Sequence, residues 1–111
     1  MTDDDARAVG KPLPAGHFHG IAQVMGYGSY VAGIAEVSVS PDGALKIHKI
    51  TAATNPGHVV NPAQIERQVA GSFVYGLSAA LYGEITVKDG AIEQTNLDSY
   101  NILRLEEMPK V

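Results

Sequence analysis

The chain contains no cysteine and few charged side chains, and these shortages exclude several classes of function. Without cysteine there is no disulfide, thiolate metal site, iron–sulfur cluster or thiol nucleophile. Charged residues make up 18% of the chain, against about 25% in ordinary soluble domains, which predicts apolar surface for a partner or a parent subunit. The net charge of −4 argues against nucleic-acid binding. No apolar run of about 18 residues occurs, so no membrane span is predicted.

The apolar fraction of 45% over 111 residues is sufficient for the core of one domain. Residues 1–16, MTDDDARAVGKPLPAG, are acidic and rich in proline and glycine. We therefore expect a flexible lead-in before a folded module of residues 17–111. The lead-in resembles neither a signal peptide nor a twin-arginine leader. Taken alone this favours the cytoplasm, but the leader of a longer parent would lie far upstream, so the compartment of the parent is unknown.

A long periodic segment predicts a helix over residues 62–82. Asn61 supplies a capping side chain, and Pro62 suits the first helical position. Apolar residues at spacings of three and four form one stripe, consisting of Ile65, Val69, Phe73, Leu77 and Ala80. Gly71 and Gly76 interrupt this helix, and each costs roughly 1 kcal/mol relative to alanine. We therefore expect another backbone or a ligand to come close to the helix.

Alternating apolar residues predict an antiparallel hairpin of residues 29–40 and 44–54 around the turn Pro41-Asp42-Gly43. Residues 17–25 predict a strand before it, ending at the turn signal Gly26-Tyr27-Gly28. In the return strand, Leu45 and Ile47 are assigned to one face. The other face receives Lys46, His48 and, provisionally, Ile50.

The C-terminal third predicts a second hairpin of residues 84–87 and 91–94, and one more strand over residues 100–105. Gly83 suits the position after the end of the helix. Together these elements predict a two-layer α+β fold, with an antiparallel or mixed sheet and one long helix packed across it.

Candidate chemical groups are few, and each has a structural alternative. His17 and His19 lie on one face of a predicted strand, so a metal site is conceivable, but no third ligand is evident and a solvated surface is favoured. Gly26-Tyr27-Gly28 could cradle a phosphate, although a hairpin turn is favoured. Ser72 lies within the helix and not in a nucleophile elbow. The pair Glu106-Glu107 predicts solvated charge and no acid–base dyad.

Gln68 lies beside the apolar stripe, three residues after Ile65. A buried amide without partners costs about 1–3 kcal/mol, so a buried Gln68 requires a polar neighbour. Helix geometry alone favours a half-exposed residue at the edge of the stripe over a ligand contact.

Several segments in combination resemble the molybdopterin-binding subunit of the xanthine dehydrogenase/aldehyde oxidase family. The similarity is greatest to the beta subunits of isoquinoline 1-oxidoreductases and to related aldehyde dehydrogenases. It covers about residues 17–111. The segments are SYVAGIAEVSVSPDG (29–43), TNPGHVVNP (54–62), QVAG (68–71), YGLSAAL (75–81), NLDSY (96–100) and Met108-Pro109.

The resemblance implies a molybdenum hydroxylase, which oxidises aldehydes or N-heterocycles with water as the oxygen source. Electrons leave such enzymes through an iron–sulfur or haem subunit. Gln68 matches the glutamine of the family's Gln-x-Glu-Gly motif, which contacts molybdopterin, and Gly71 matches its glycine. These matches make Gln68 and Gly71 expected cofactor-binding residues, and Asn61 is included with them as a further part of the same wall. No residue is assigned as a metal ligand.

The chain departs from the family pattern at positions that matter for catalysis. The motif glutamate is Ala70, and the usual Asp-Cys-Gly-type segment before the helix is Asn55-Pro56-Gly57. The family's catalytic glutamate lies in a Gly-Val-Gly-Glu motif downstream, and the sequence ends at Val111 before such a motif. No catalytic residue can therefore be assigned.

The preferred interpretation is one module of a molybdenum hydroxylase large subunit that is inactive alone and then holds no cofactor. Its partners would be the remainder of that subunit and an electron-transfer subunit, and the isolated module is expected to self-associate as a symmetric dimer. The alternative is a free-standing, non-enzymatic binding or assembly module that uses the same fold. A third hypothesis is metal binding by His17 and His19.

Overall fold

A computed structural model describes residues 12–111 and confirms an α+β fold. The described residues divide into two compact units, one that extends to Val60 and includes Pro109–Val111, and one of Asn61–Met108. The greater part of the predicted lead-in, residues 1–11, lies outside the described residues. Packing of the helix across the sheet, and the boundaries of the module, stay predictions.

The first unit is a three-stranded antiparallel sheet in the order β1-β2-β3. The strands are β1 (His17–Gly26), β2 (Ser29–Val39) and β3 (Leu45–Asn55). Tyr27 and Gly28 connect β1 to β2 with φ angles of 51° and 77°, the left-handed values that a two-residue hairpin turn requires. The predicted hairpin turns at both ends of β2 are confirmed.

A β-bulge in β3 shifts the side chains that follow it. Glu36 pairs with Lys49, whereas the next residue of β2, Val37, pairs with Ile47. His48 is therefore the extra residue, and the alternation of faces changes there. Ile50 consequently lies on the same face as Ile47, so its provisional assignment to the opposite face was wrong.

The bulge brings two imidazole rings together near the start of β1. The rings of His17 and His48 are stacked, with their centroids 4.1 Å apart. The Nδ1–H of His17 donates to Oε1 of Glu36 over 2.6 Å, and Nε2 of His48 lies 2.7 Å from Oγ of Ser38. These contacts join β1, β2 and β3 through side chains. The hydrogen bond from His17 is the largest cause that lowers the pKa of Glu36 below its usual 4.5, and the nearby histidines lower it further.

Lys110 lies beside β3 and belongs to the first unit. Lys110 forms a parallel bridge with Lys49, and the N–H of Ile50 donates to the Lys110 carbonyl over 2.8 Å. Ile50 is 3% exposed and is the most buried apolar side chain among the described residues of this unit.

The second unit begins with the helix α1 (Pro62–Leu81), which confirms the helix predicted over residues 62–82 to within one residue. Oδ1 of Asn61 accepts the backbone N–H of Gln64 over 3.3 Å, which caps the helix as expected. The predicted stripe faces inward for most of its length. Its half-buried members are Ile65, Val69, Phe73 and Leu77, while Ala80 is exposed.

Ser78 forms a hydrogen bond that connects the last turns of α1 to the segment around Leu103. Its hydroxyl donates to the Val74 carbonyl over 2.6 Å and accepts the N–H of Leu103 over 3.0 Å. A Cβ on Gly83 would stand 3.0 Å from the carbonyl oxygen of Ala79 and 3.3 Å from the Tyr100 hydroxyl. Close approach therefore explains the glycine at this position.

Residues 100–105 do not form the predicted strand. Within the described residues, the chain is irregular there and then forms a 3₁₀ turn, Leu105–Glu107. Side-chain oxygens accept hydrogen bonds from backbone N–H groups that a neighbouring strand would bind in a sheet. Ser78 accepts the N–H of Leu103, and Oε2 of Glu107 accepts the N–H of Arg104 over 2.7 Å.

The second predicted hairpin is present but short. It consists of β4 (Val87–Lys88) and β5 (Ala91–Ile92), and its turn residues Asp89 and Gly90 have φ angles of 51° and 78°. Hydrogen bonds between the side chains of Thr86 and Gln94 hold its open end.

Two glycine-to-alanine substitutions should change stability in opposite directions. Gly83→Ala places a methyl group against the backbone of Ala79, so we expect the free energy of unfolding to fall by about 1–3 kcal/mol. Gly71→Ala adds a methyl group on the exposed face of α1, where no described neighbour lies within 4 Å, so we expect a gain of about 1 kcal/mol. Urea denaturation followed by circular dichroism measures both. A loss of stability in Gly71→Ala would show that this face is already occupied.

The Glu36–His17 contact should make stability dependent on pH. Because folding lowers the pKa of Glu36, its contribution is present above the unfolded-state pKa and is lost as pH falls through the folded value. The wild type should therefore exceed Glu36→Gln in stability at pH 7, and the difference should shrink on acidification below about pH 4.5. Glu106→Gln serves as the exposed control. A difference between wild type and Glu36→Gln that is constant with pH contradicts this assignment.

Candidate functional site

The exposed side of α1 carries a continuous row of polar and small residues. Gln64, Gln68, Gly71 and Tyr75 are all exposed and follow one another at spacings of four, three and four residues. At 100° per residue these positions fall on one side of the helix, with Leu77 about 180° from Gln68. We call these four residues the open face of α1. It is the feature of the second unit most suited to binding.

Gln68 does not lie at the edge of the apolar stripe as its spacing from Ile65 suggested. The half-buried apolar residues centre near Phe73 and Leu77, so Gln68 lies almost opposite them and is exposed. Its amide is therefore directed away from the packed side of its own helix. An exposed amide offers both a donor and an acceptor to a ligand at no burial cost within this unit.

The two glycines of α1 have no described neighbour that explains them. A Cβ built on Gly71 or Gly76 would meet no described atom within 4 Å. The sequence suggested that either another backbone or a ligand comes close to these glycines. Within residues 12–111, no backbone does so. The bare helix backbone remains accessible at both positions.

Asn61 stands at the start of α1 and has a structural role there. Its side-chain oxygen is engaged by the Gln64 N–H, which leaves the NH₂ group as the part directed to other contacts. Upstream, Oδ1 of Asn55 accepts the N–H of Gly57 over 3.1 Å, and Gly57 has a φ of 85°. This Asx turn ends β3.

Tyr75 belongs to the same open face and was missed as a candidate by the sequence reasoning. Its side chain is 82% exposed. The signal was its spacing of seven residues from Gln68, which is two helical turns. An exposed aromatic ring one turn after Gly71 on the same face adds a flat apolar surface to the amide of Gln68.

His17 and Glu107, two other candidates from the sequence, have structural roles. His17 is committed to Glu36 and His48, and residues 12–111 contain no cluster of three or more His, Asp or Glu side chains able to hold a metal ion. Glu107, expected to be solvated charge, accepts the Tyr82 hydroxyl and the Arg104 N–H. These bonds lower the pKa of Glu107 and raise that of Tyr82.

An open depression lies on the sheet of the first unit, with a volume of about 640 Å³. Small side chains, Ala32 and Ala53, form directly paired positions of β2 and β3 within it. Its larger lining residues include Gln23, Met25, Tyr30 and Asn55. The sequence did not reveal it, because it depends on the register of three strands.

In the part of the chain that the structure describes, α1 is the longest helix, and no helix there has the length and apolar character needed to span a membrane.

Two known proteins with similar sequences are a subunit of an oxidoreductase and a subunit of a dehydrogenase complex. The isoquinoline 1-oxidoreductase subunit beta of Brevundimonas diminuta is 27% identical over 93 residues, which cover 83% of this chain and 12% of that protein. The 6-hydroxypseudooxynicotine dehydrogenase complex subunit gamma of Paenarthrobacter nicotinovorans is 31% identical over 84 residues, covering 74% of the chain and 11% of that protein.

A third relative is the membrane-bound aldehyde dehydrogenase [pyrroloquinoline-quinone] of Gluconacetobacter polyoxogenes, 29% identical over 79 residues that cover 70% of the chain and 10% of that protein. The chain thus spans about a tenth of the length of these relatives. A family model described as a molybdopterin cofactor-binding domain matches residues 5–109. The chain therefore belongs to the molybdopterin cofactor-binding domain family of the xanthine dehydrogenase type.

Proposed function

We propose that the chain forms part of the large subunit of a molybdenum hydroxylase, where the open face of α1 is one wall of the molybdopterin site. The observation that carries this proposal is the coincidence of two features. Gln68, which matches the glutamine of the family motif, is exposed. Gly71 matches the glycine of that motif, and a Cβ added to it would meet no described atom within 4 Å. These two residues of the motif therefore lie on an accessible surface of the helix.

The side chains of this face suit a pterin chemically. The Gln68 amide can donate to one polar edge atom and accept from another, and Gly71 allows ligand atoms to approach the backbone. Asn61 contributes its NH₂ group at the start of the same helix. Tyr75 adds an exposed ring. The four residues of the open face include no charged side chain. Binding of a pterin there would therefore rest on hydrogen bonds and van der Waals contacts.

The departure at Ala70 is compatible with the fold. Ala70 is half-buried on the packed side of α1, where a glutamate would need a polar partner. Alanine removes that need, and it also removes the carboxylate that the family motif carries. The chain thereby keeps the wall-forming glutamine and glycine of the motif without its acid.

In the proposed parent, the molybdenum centre supplies the transfer of an oxygen atom from water to an aldehyde or N-heterocycle. Residues of this chain bind and orient one side of the cofactor. No described side chain is assigned as a catalytic base. The remaining wall, the base and the substrate pocket would come from the rest of the large subunit, and an iron–sulfur or haem subunit would accept the electrons.

The role of Gln68 can be tested by comparing the parent with the isolated chain. In the parent, Gln68→Ala should reduce molybdopterin retention by a factor of about 5–150, the equivalent of one buried hydrogen-bonding group left unpaired. In the isolated chain the same change should alter stability by less than about 1 kcal/mol, because Gln68 is exposed. Pterin fluorescence and molybdenum content measure retention.

Glu66→Ala is the matched control, since Glu66 lies about 160° around the same helix and is also exposed. It should leave cofactor content unchanged. Normal cofactor content in the Gln68 variant, together with a large loss of stability in the isolated chain, would show that Gln68 is structural.

The isolated chain should hold no molybdenum and oxidise no aldehyde or N-heterocycle, because one helix face supplies only part of a cofactor site. Metal analysis and a dye-linked activity assay on the purified chain test this expectation. Copurification of stoichiometric molybdopterin would overturn it.

A further inference from the structure

Among the described residues, β1 is an outer strand, and it has none of the charges, prolines or bulges that usually protect a sheet edge. Its ten residues, HFHGIAQVMG, contain no Lys, Arg, Asp, Glu or Pro. All of them from Phe18 onward are exposed, and Ile21 is 76% exposed. Within residues 12–111 no strand lies beside its outer edge. An exposed, uncharged edge of this length is a template for pairing with another strand.

The opposite edge of the same sheet is protected. β3 carries Lys46, Lys49 and the bulge at His48, and the Lys110 bridge covers part of its length. Charged side chains, bulges and covering segments are the devices that prevent edge-to-edge association. The sheet therefore has one edge able to accept a strand and one edge that resists it.

The turn between β1 and β2 determines which backbone groups of β1 point outward. In a two-residue hairpin, the residues that flank the turn exchange hydrogen bonds, and these are Gly26 and Ser29. Alternation then directs the N–H and C=O groups of odd-numbered residues away from β2. The N–H of His17 agrees with this pattern, since it donates to the Pro14 carbonyl over 3.1 Å. His19, Ile21 and Gln23 consequently offer their groups to a new strand.

We propose that β1 pairs antiparallel with β1 of a second copy of this chain, about a two-fold axis at Ile21, to form a continuous six-stranded sheet. This register places Ile21 opposite Ile21 and His19 opposite Gln23, so every outward group of these residues meets a partner. Phe18 then faces Val24, an aromatic and a β-branched side chain that pack favourably across strands. Three residue pairs exchange about six hydrogen bonds.

A second copy is the occupant because the edge is complementary to itself. With no charged residue in β1, self-pairing brings no like charges together. The contact is isologous and closes on itself, since both copies use the same edge. The protected edge of β3 stops further growth, so the expected product is a dimer and not a fibre. This pairing rests on β1 alone and does not depend on the proposed cofactor wall.

Light scattering or sedimentation of the full chain tests the pairing. At about 100 μM, a concentration suited to a small interface, the wild type should show twice the monomer mass of 11.7 kDa. Ile21→Pro should be monomeric, because proline removes an outward N–H without removing a bond to β2. Ile21→Val should remain dimeric. Ile21→Lys should also be monomeric, because it sets two like charges opposite each other at the axis. If circular dichroism shows that Ile21→Pro is unfolded, Ile21→Lys takes its place in the test.

The register is tested by spin labels, because the chain has no native cysteine. Labels on Gln23→Cys should be separated by about 14 Å along the strands, and labels on Met25→Cys by about 27 Å, at about 3.4 Å per residue. A monomeric wild type, a dimer that persists in both folded Ile21→Pro and Ile21→Lys, or label separations that do not increase from residue 23 to residue 25 would each overturn the proposal.

Discussion

Ile50 and Leu103, at 3% and 5% exposure, are the apolar side chains that the described chain removes almost completely from water. One lies in each compact unit, and each is held by a hydrogen bond from its own backbone N–H: that of Ile50 donates to the Lys110 carbonyl, and that of Leu103 donates to the Ser78 hydroxyl. With so little fully buried surface, the units rely on turns, caps and side-chain hydrogen bonds for their shape. The same scarcity leaves apolar side chains such as Val60, Tyr75 and Leu105 exposed. Surfaces of this kind suit a module that is covered by a larger protein.

The local elements could be predicted because their signals are local. Pro41-Asp42-Gly43, Tyr27-Gly28 and Asp89-Gly90 each set backbone angles that determine a turn, and Asn61-Pro62 determines the start of α1. The sequence could not predict the bulge at His48, because an extra residue in one strand has no local marker. The position of Ile50 was wrong for that reason. Residues 100–105 were predicted to form a strand, but the hydroxyl of Ser78 and the carboxylate of Glu107 accept the backbone N–H groups that a neighbouring strand would need.

The candidate site was only partly predictable. Gln68 and Gly71 were identified through the motif that they match, but periodicity placed Gln68 at the edge of the apolar stripe. The structure places it nearly opposite the stripe, because the packed side of α1 extends to Ala70, Val74 and Ser78. Because the packed side extends in that direction, Tyr75 also lies on the open face. The helix therefore has one side that the chain uses for its own packing and another that the chain leaves available. Gln68 and Gly71 of the family motif lie on the available side, and Val69 and Ala70 lie on the packed side.

A crystal structure of the intact large subunit with molybdopterin bound would show directly whether the open face of α1 forms a cofactor wall, as we propose. We expect a hydrogen bond of about 2.7–3.2 Å between the Gln68 amide and the cofactor, with cofactor atoms in van der Waals contact with the backbone at Gly71. A structure in which another protein segment covers Gly71, while Gln68 points into solvent, would contradict it.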